Sequence, residues 1–137
     1  MILSIDNRSD EELPEAHYQA LAGFVLQSEA ASDNTELAIS LVSREEIHAL
    51  NKQYRGLDAP TDVLSFENDG ELLGDVIICP AVAREHAQDF ESDFNSEMEL
   101  MLTHGILHLR GYDHQDDASA EIMEARENEL LSAWRDQ

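Results

Sequence analysis

The sequence predicts an α+β fold in which a small mixed β-sheet of about four strands is covered by about five helices. Short alternating apolar segments recur along the chain, and segments with helical periodicity lie between them and after them, in the order β-α-β-α-β-β-α-α-α. The chain has 137 residues, of which 42% are hydrophobic and 28% charged. That length can bury one core, so we expect a single domain over residues 1–137.

The first half of the chain is predicted to form two strands and two helices. Residues 1–6 alternate as a short strand, and a helix with Pro14 in its first turn follows. Residues 36–42 alternate as a half-buried strand. Ser43 followed by Glu46 has the pattern of a capping box, which predicts the start of the second helix.

The second half is predicted to add two paired strands and three helices. Residues 62–66 and 72–79 are strand segments on either side of Asp69 and Gly70, a dipeptide typical of a hairpin turn. Pro80 begins a helix that runs to about Ser92. The last two helices are bounded by capping residues: Asn95 or Ser96 to Gly111, and Asp116 or Asp117 to Trp134.

The chain is strongly acidic. It carries 30 Asp and Glu residues against 8 Lys and Arg residues, a formal net charge of -22, and Lys52 is its one lysine. Such a field repels nucleic-acid phosphates at long range. Composition therefore argues against a general RNA or DNA binder, we expect no DNA partner, and any action on RNA requires a local site of positive charge.

The sequence also bears on where the protein works. Its single cysteine, Cys79, cannot build an internal disulfide framework, which favours a reducing setting. Residues 1–10 lack a basic region followed by a long apolar run, and no segment is apolar for the length that spans a bilayer. We therefore expect a cytoplasmic protein without a signal peptide and without a membrane partner.

Three histidines predict one metal site. His104 and His108 are four residues apart in a predicted helix, so their imidazoles lie on one face. Gly111 lets the chain reverse and bring His114 to the same point. Three imidazoles leave a fourth tetrahedral position for water or substrate, as in a catalytic zinc site, although imidazole also suits nickel, copper and iron. We predict one Zn²⁺ ion, and Gly105 predicts a close approach to the helix backbone.

The residues alone leave two questions open: whether the site is that of a metallopeptidase, and whether Arg55 binds a phosphate. The histidine spacing matches the H-E-x-x-H-x-x-G-x-x-H stretch of metzincin peptidases, but Gly105 replaces the glutamate that acts there as general base. A metallopeptidase would need a carboxylate from elsewhere in the chain. Arg55 can offer a bidentate guanidinium to a phosphate, or it can simply pair with one of the many carboxylates.

Two long motifs resemble those of the YbeY family of bacterial endoribonucleases, also described as rRNA maturation factors. Residues 104–114 are similar to the family's H-G-x-L-H-L-x-G-Y-D-H signature, and residues 51–66 to its N-x-x-Y-R-x-x-D-x-P-T-D-V-L-S-F segment. Residues 73–75 and the pair Met123 and Glu124 also fit. The resemblance extends over essentially the full length of the chain.

The resemblance implies a zinc ion on His104, His108 and His114 in a single-strand-specific endoribonuclease. Its implied task is 16S rRNA 3′-end maturation and ribosome quality control. The implied partners are rRNA and the small ribosomal subunit, one protein of that subunit, and the GTPase Era. The resemblance also implies that Arg55 is the functional arginine. Arg110 stands where an uncharged residue is common, close in sequence to the histidines, and we assign it to substrate binding with Arg55.

We therefore expect metal-assisted phosphodiester cleavage with Arg55 and His108 as catalytic residues. The metal would activate water or polarise a phosphoryl oxygen, and Arg55 would stabilise the charge of the transition state. Asp113 either orients an imidazole or simply follows the turn. The alternative function is a metal-stabilised ribosome assembly factor with little catalysis, which the missing general base and the few basic residues favour.

Overall fold

In the described residues the chain alternates strand and helix twice, continues with two consecutive strands and ends in three helices. The computed structural model describes residues 1–68 and 72–137, with the backbone alone at Leu72. Within these ranges the elements are β1 (Ile2–Asn7), α1 (Glu15–Ser28), β2 (Glu36–Leu41), α2 (Arg44–Arg55), β3 (Val63–Glu67), β4 (Leu72–Ile78), α3 (Pro80–Asp89), α4 (Phe94–Leu109) and α5 (Asp117–Arg135).

The four strands form one mixed sheet in the order β1-β2-β4-β3. β1 and β2 are parallel, β2 and β4 are parallel, and β3 runs antiparallel to β4 at the edge. The predicted α+β class, with four strands and five helices, is confirmed. The predicted turn at Asp69 and Gly70 lies outside the described residues, although the antiparallel pairing of the strands it would join is present.

Local capping determines where several helices begin. The Ser43 side chain accepts a hydrogen bond from the Glu46 backbone N–H at 3.2 Å, which confirms the predicted start of α2. Asp116 caps α5 in the same way. The predicted cap of α4 was wrong, because Asp93 takes that role and accepts from the Ser96 backbone N–H at 2.8 Å. Pro14 precedes α1 as its cap rather than lying in its first turn.

The core places α4 at the centre of the molecule. Its apolar side chains pack with α1, α5 and one face of the sheet, and Leu102, Ile106 and Leu107 are almost completely buried. A smaller apolar cluster lies on the other face of the sheet, where Ile47 of α2 meets Ile77 of β4. No helix in the described ranges combines the length and apolar character that a membrane crossing requires.

Gly105 explains how closely α4 approaches the sheet. A Cβ atom at this position would lie 2.7 Å from Val76 Cγ1 and 3.2 Å from Ser65 Oγ. The Ser65 hydroxyl donates a hydrogen bond to the Gly105 carbonyl at 3.1 Å. The predicted close approach is therefore confirmed, and it holds the C-terminal half of α4 against β3 and β4.

Candidate metal centre

The C-terminal end of α4 and the turn after it bring the three predicted histidines together. His104 and His108 lie one turn apart on α4, which ends at Leu109. Gly111 then adopts φ 102°, in the left-handed region that glycine tolerates, and reverses the chain. The His114 ring centroid lies 5.5 Å from that of His104 and 6.3 Å from that of His108.

One open cavity of about 380 Å³ lies at these histidines. It forms between the end of α4, the turn after it, the edge strand β3 and the end of α2. Its lining residues are Arg55, Val63, Leu64, Ser65, His104, His108, Asp113, His114 and Gln115. The structure thus places Arg55, which comes from a distant part of the sequence, beside the histidines.

The side chains at this cavity fit a transition-metal ion. In the part of the chain that the structure describes, ligand atoms of His108, Asp113 and His114 all lie within 4.8 Å of one another. Two imidazoles and a carboxylate are suitable donors for zinc and similar divalent ions. His104 is outside this group of three, although its ring lines the same cavity.

Asp113 places a carboxylate beside His108 and His114. One of its oxygens accepts a hydrogen bond from the His114 backbone N–H at 2.6 Å, so the residue does stabilise the turn. Its inclusion in the group with His108 and His114 shows that the same carboxylate is also placed to take part in metal binding or proton transfer. Of the two roles that the sequence left open for Asp113, the structure shows the contact within the turn, and the described hydrogen bonds include none from its carboxylate to an imidazole.

Glu127 of α5 orients His104. Nδ1 of His104 donates to Glu127 Oε2 at 2.6 Å, and Glu127 is only 7% exposed. A buried carboxylate on one ring nitrogen fixes the tautomer and leaves Nε2 free as a metal ligand. Sequence reasoning missed this residue. The available signal was a carboxylate on the face of α5 that buries Met123, Leu130 and Leu131.

Arg55 is held in place by a backbone carbonyl and an aromatic ring. Its Nη2 donates to the Ser65 carbonyl at 2.7 Å, and its guanidinium carbon lies 5.1 Å from the centroid of the Phe66 ring. Over the described ranges no carboxylate forms a salt bridge with it. The guanidinium is thus oriented at the edge of the cavity and keeps N–H groups for an anion.

Arg110 lies elsewhere. Its Nη2 donates to the Glu29 carbonyl after the end of α1 at 3.0 Å, and it lines a separate cavity with Gly111 and Tyr112. Two residues along a helix correspond to a rotation of about 200°, so a side chain at this position leaves the face that carries His108. The structure brings Arg55, and not Arg110, to the histidines.

The chain is similar to known proteins over nearly its whole length. Residues 4–135 match the family described as Endoribonuclease YbeY. A Bacillus subtilis relative of that description is 39% identical, covering 92% of this chain and 88% of the relative. One from Renibacterium salmoninarum is 38% identical, covering 98% and 93%. The solution structure of a Thermotoga maritima protein is similar with a TM-score of 0.67 and 30% identity, covering 99% of this chain and 93% of that one.

Proposed function

The chain belongs to the YbeY family of endoribonucleases, and we propose that it is a metal-dependent enzyme that cleaves single-stranded RNA. The observation that carries the proposal is the convergence of metal-ligand side chains and of Arg55, which has no acidic partner among the described residues, on one cavity. A metal site beside a guanidinium suits a phosphodiester, whose cleavage develops negative charge on phosphoryl oxygens.

His104, His108 and His114 are the proposed ligands of one Zn²⁺ ion, with another divalent transition metal as the alternative. The Glu127 contact supports the inclusion of His104, because metal-binding histidines typically donate their other ring nitrogen to such a partner. When bound, such an ion polarises a phosphoryl oxygen and activates a nucleophile at neutral pH. It also adds local positive charge to a chain whose formal net charge is -22.

Arg55 binds the phosphate and stabilises the transition state in this proposal. Its contacts with the Ser65 carbonyl and the Phe66 ring hold the guanidinium before substrate arrives. Pre-orientation matters because a donor that is already aimed costs no rearrangement when charge develops. Asp113 is the carboxylate placed to accept a proton from the attacking group.

The metallopeptidase alternative required a carboxylate near the histidines, and Asp113 meets that geometric requirement. The position of Arg55 and the family membership favour RNA over a peptide. As its substrate we propose the 3′ end of 16S rRNA, and as its task rRNA maturation and ribosome quality control. The proposed partners are the small subunit, one of its proteins and the GTPase Era, in the cytoplasm.

A cleavage assay with matched arginine variants tests the proposal. Labelled single-stranded RNA is incubated with zinc-loaded wild type, Arg55→Ala, His108→Ala and Arg84→Ala. Arg84 is the control because it also lies over a phenylalanine ring but belongs to α3, away from the cavity. We expect Arg55→Ala to reduce kcat by roughly 10²- to 10³-fold, as for loss of one charge-stabilising donor, and Arg84→Ala to match wild type.

The same assay separates the enzyme from the assembly factor. No cleavage by the zinc-loaded wild type would leave a ribosome assembly factor without intrinsic catalysis. Cleavage that persists unchanged in both His108→Ala and Arg55→Ala would place the activity outside this cavity. Either result would overturn the proposal.

A further inference from the structure

Tyr54 is an exposed aromatic residue directly beside Arg55 at the end of α2. It is 57% exposed although its ring contacts another aromatic side chain. Its centroid lies 5.3 Å from that of Phe66, with the ring planes at 64°, an edge-to-face contact. Phe66 therefore supports the Tyr54 ring while leaving much of it open to a ligand.

The open part of Tyr54 lines a second cavity of about 480 Å³, on the opposite face of β3 from the histidines. Successive residues of a strand point to opposite faces, so Ser65 lines the histidine cavity while Phe66 lines the second one. Phe66 is paired with Asp75 of β4, which places both on the floor of this second cavity. Its volume lies within the range of small-molecule sites.

The charges of the second cavity suit a neutral ring rather than a phosphate. Arg8 is bound to Asp6 and to Glu46, both through short ion pairs, so its charge is already matched. Asp75 adds a further carboxylate. A phosphate would be repelled there, whereas a nucleobase could stack on the tyrosine and hydrogen-bond to the polar groups.

Arg55 joins the two cavities. Its guanidinium lines the histidine cavity and lies against Phe66, whose ring lines the second cavity. An RNA strand whose phosphate contacts Arg55 would thus have an adjacent base within reach of the neighbouring Tyr54. The two consecutive residues of α2 would contact the two chemically different parts of a nucleotide.

We propose that Tyr54, supported by Phe66, is a stacking site for an unpaired RNA base next to the phosphate that is cleaved. The inference rests on the proposed function and deepens it by naming what selects single strands. A base within a duplex stays stacked between its neighbours, whereas an unpaired base can lie on an aromatic side chain. Such a contact corresponds to roughly 5- to 150-fold in binding per base.

The test uses three substitutions at Tyr54 and one control. Tyr54→Ala removes the ring, Tyr54→Leu keeps apolar bulk without an aromatic face, and Tyr54→Phe keeps the face without the hydroxyl. Phe90→Ala is the control, because Phe90 is an even more exposed aromatic residue, 74% accessible, at the end of α3. Cleavage kinetics on single-stranded RNA give KM and kcat separately, and thermal unfolding checks that each variant is folded.

We expect Tyr54→Ala and Tyr54→Leu to raise KM by roughly 5- to 150-fold with a smaller change in kcat. Tyr54→Phe and Phe90→Ala should stay within about twofold of wild type. A second readout uses RNA with 2-aminopurine near the cleavage site, bound to the His108→Ala protein so that cleavage does not intervene. Fluorescence quenching on binding should be lost when Tyr54→Ala is added.

The outcomes separate this inference from the proposed function. If wild type cleaves RNA while Tyr54→Ala keeps both the wild-type KM and the quenching, the stacking site is refuted and the proposed function stands. If zinc-loaded wild type neither cleaves nor binds RNA, the proposed function fails and the inference fails with it. A Tyr54→Leu variant that behaves as wild type would also refute the stacking site, because apolar bulk without an aromatic face would then suffice.

Discussion

Replacing Glu127 by glutamine or alanine perturbs the metal centre without touching a proposed ligand. The carboxylate accepts a hydrogen bond from Nδ1 of His104 at 2.6 Å and is 7% exposed. Short bonds to a charged acceptor are stronger than neutral ones, and little water is present to screen this one. Loss of the carboxylate frees the imidazole to rotate and to take the other tautomer, which protonates the nitrogen that should bind metal.

The expected magnitude follows from this contact. Removal of such an outer partner typically weakens metal binding by about 10- to 100-fold, or about 1.4 to 2.8 kcal/mol. The loss of affinity in Glu127→Gln should lie near the lower end of this range, because the amide oxygen still accepts the hydrogen bond but carries no charge. The loss of affinity in Glu127→Ala should lie near the upper end, because no hydrogen-bond acceptor remains.

The assay is competition for Zn²⁺ with a chromophoric chelator, using metal-free protein. Glu121→Gln is the control, since it makes the same change of charge at an exposed position of the same helix. Urea unfolding of the metal-free variants shows whether stability changed as well. An affinity of Glu127→Ala within twofold of wild type, alongside a large loss in His108→Ala, would refute the role of this contact.

Three further predictions follow from the packing and the charges. Gly105→Ala should lower the free energy of unfolding in urea by about 1 to 2 kcal/mol. The added Cβ would meet a valine methyl of β4 at 2.7 Å, closer than ordinary van der Waals contact, so the overpacking cost should lie at the upper end of its range, about 2 to 3 kcal/mol, against a helix-propensity gain of about 1 kcal/mol. Gly23→Ala, with 3.4 Å to its nearest neighbour, should instead gain stability. His104→Ala should weaken Zn²⁺ binding in the chelator assay more than Asp113→Asn does, because the three imidazoles are the proposed ligands of the ion. At Glu99, burial raises the carboxyl pKa, but hydrogen bonds from a histidine, an arginine and a tryptophan outweigh it and leave the pKa below the ordinary value. Its contribution is therefore present above the ordinary glutamate pKa of about 4.3 and is lost as the pH falls from there through the lower folded value, so Glu99→Gln should lose less stability than wild type between about pH 5 and about pH 2.

Each of these predictions has a contrary result. Gly105→Ala with wild-type stability would show that α4 can move away from the sheet without cost. A larger loss of Zn²⁺ affinity in Asp113→Asn than in His104→Ala would make the carboxylate a ligand in place of that imidazole. An identical dependence of stability on pH in Glu99→Gln and wild type would show that this carboxylate keeps an ordinary pKa in the folded protein.

Local signals in the sequence predicted much of the fold. At Ser43 and at Asp116 the capping side chain accepts a hydrogen bond from a backbone N–H three residues later in the chain. Because that spacing is short, the pattern is visible in the sequence. The start of α4 was ambiguous because Asp93 lies close to two other residues that can cap, and only the folded backbone shows which one does. The strand order β1-β2-β4-β3 follows from packing between distant segments, which no local pattern reports.

The candidate metal site was likewise predictable from the sequence only in part. The spacing of His104 and His108 and the reversal at Gly111 were readable, because neighbours along a helix and a turn share a surface. Glu127 was not, since it lies 23 residues after its partner on another helix. Arg110 is the opposite case, because it is close to the histidines in sequence but helical rotation directs its side chain elsewhere, and its part in substrate binding stays a prediction.

The central claim is that the histidine centre uses one metal ion to cleave RNA. The most direct test is to add Zn²⁺ stepwise to metal-free protein and to measure the initial rate of cleavage of single-stranded RNA. We predict no cleavage without metal, a rate that rises until about one ion is bound per chain, and no rise in His108→Ala. Cleavage at the full rate by metal-free wild type, or an undiminished response to Zn²⁺ in His108→Ala, would contradict the claim.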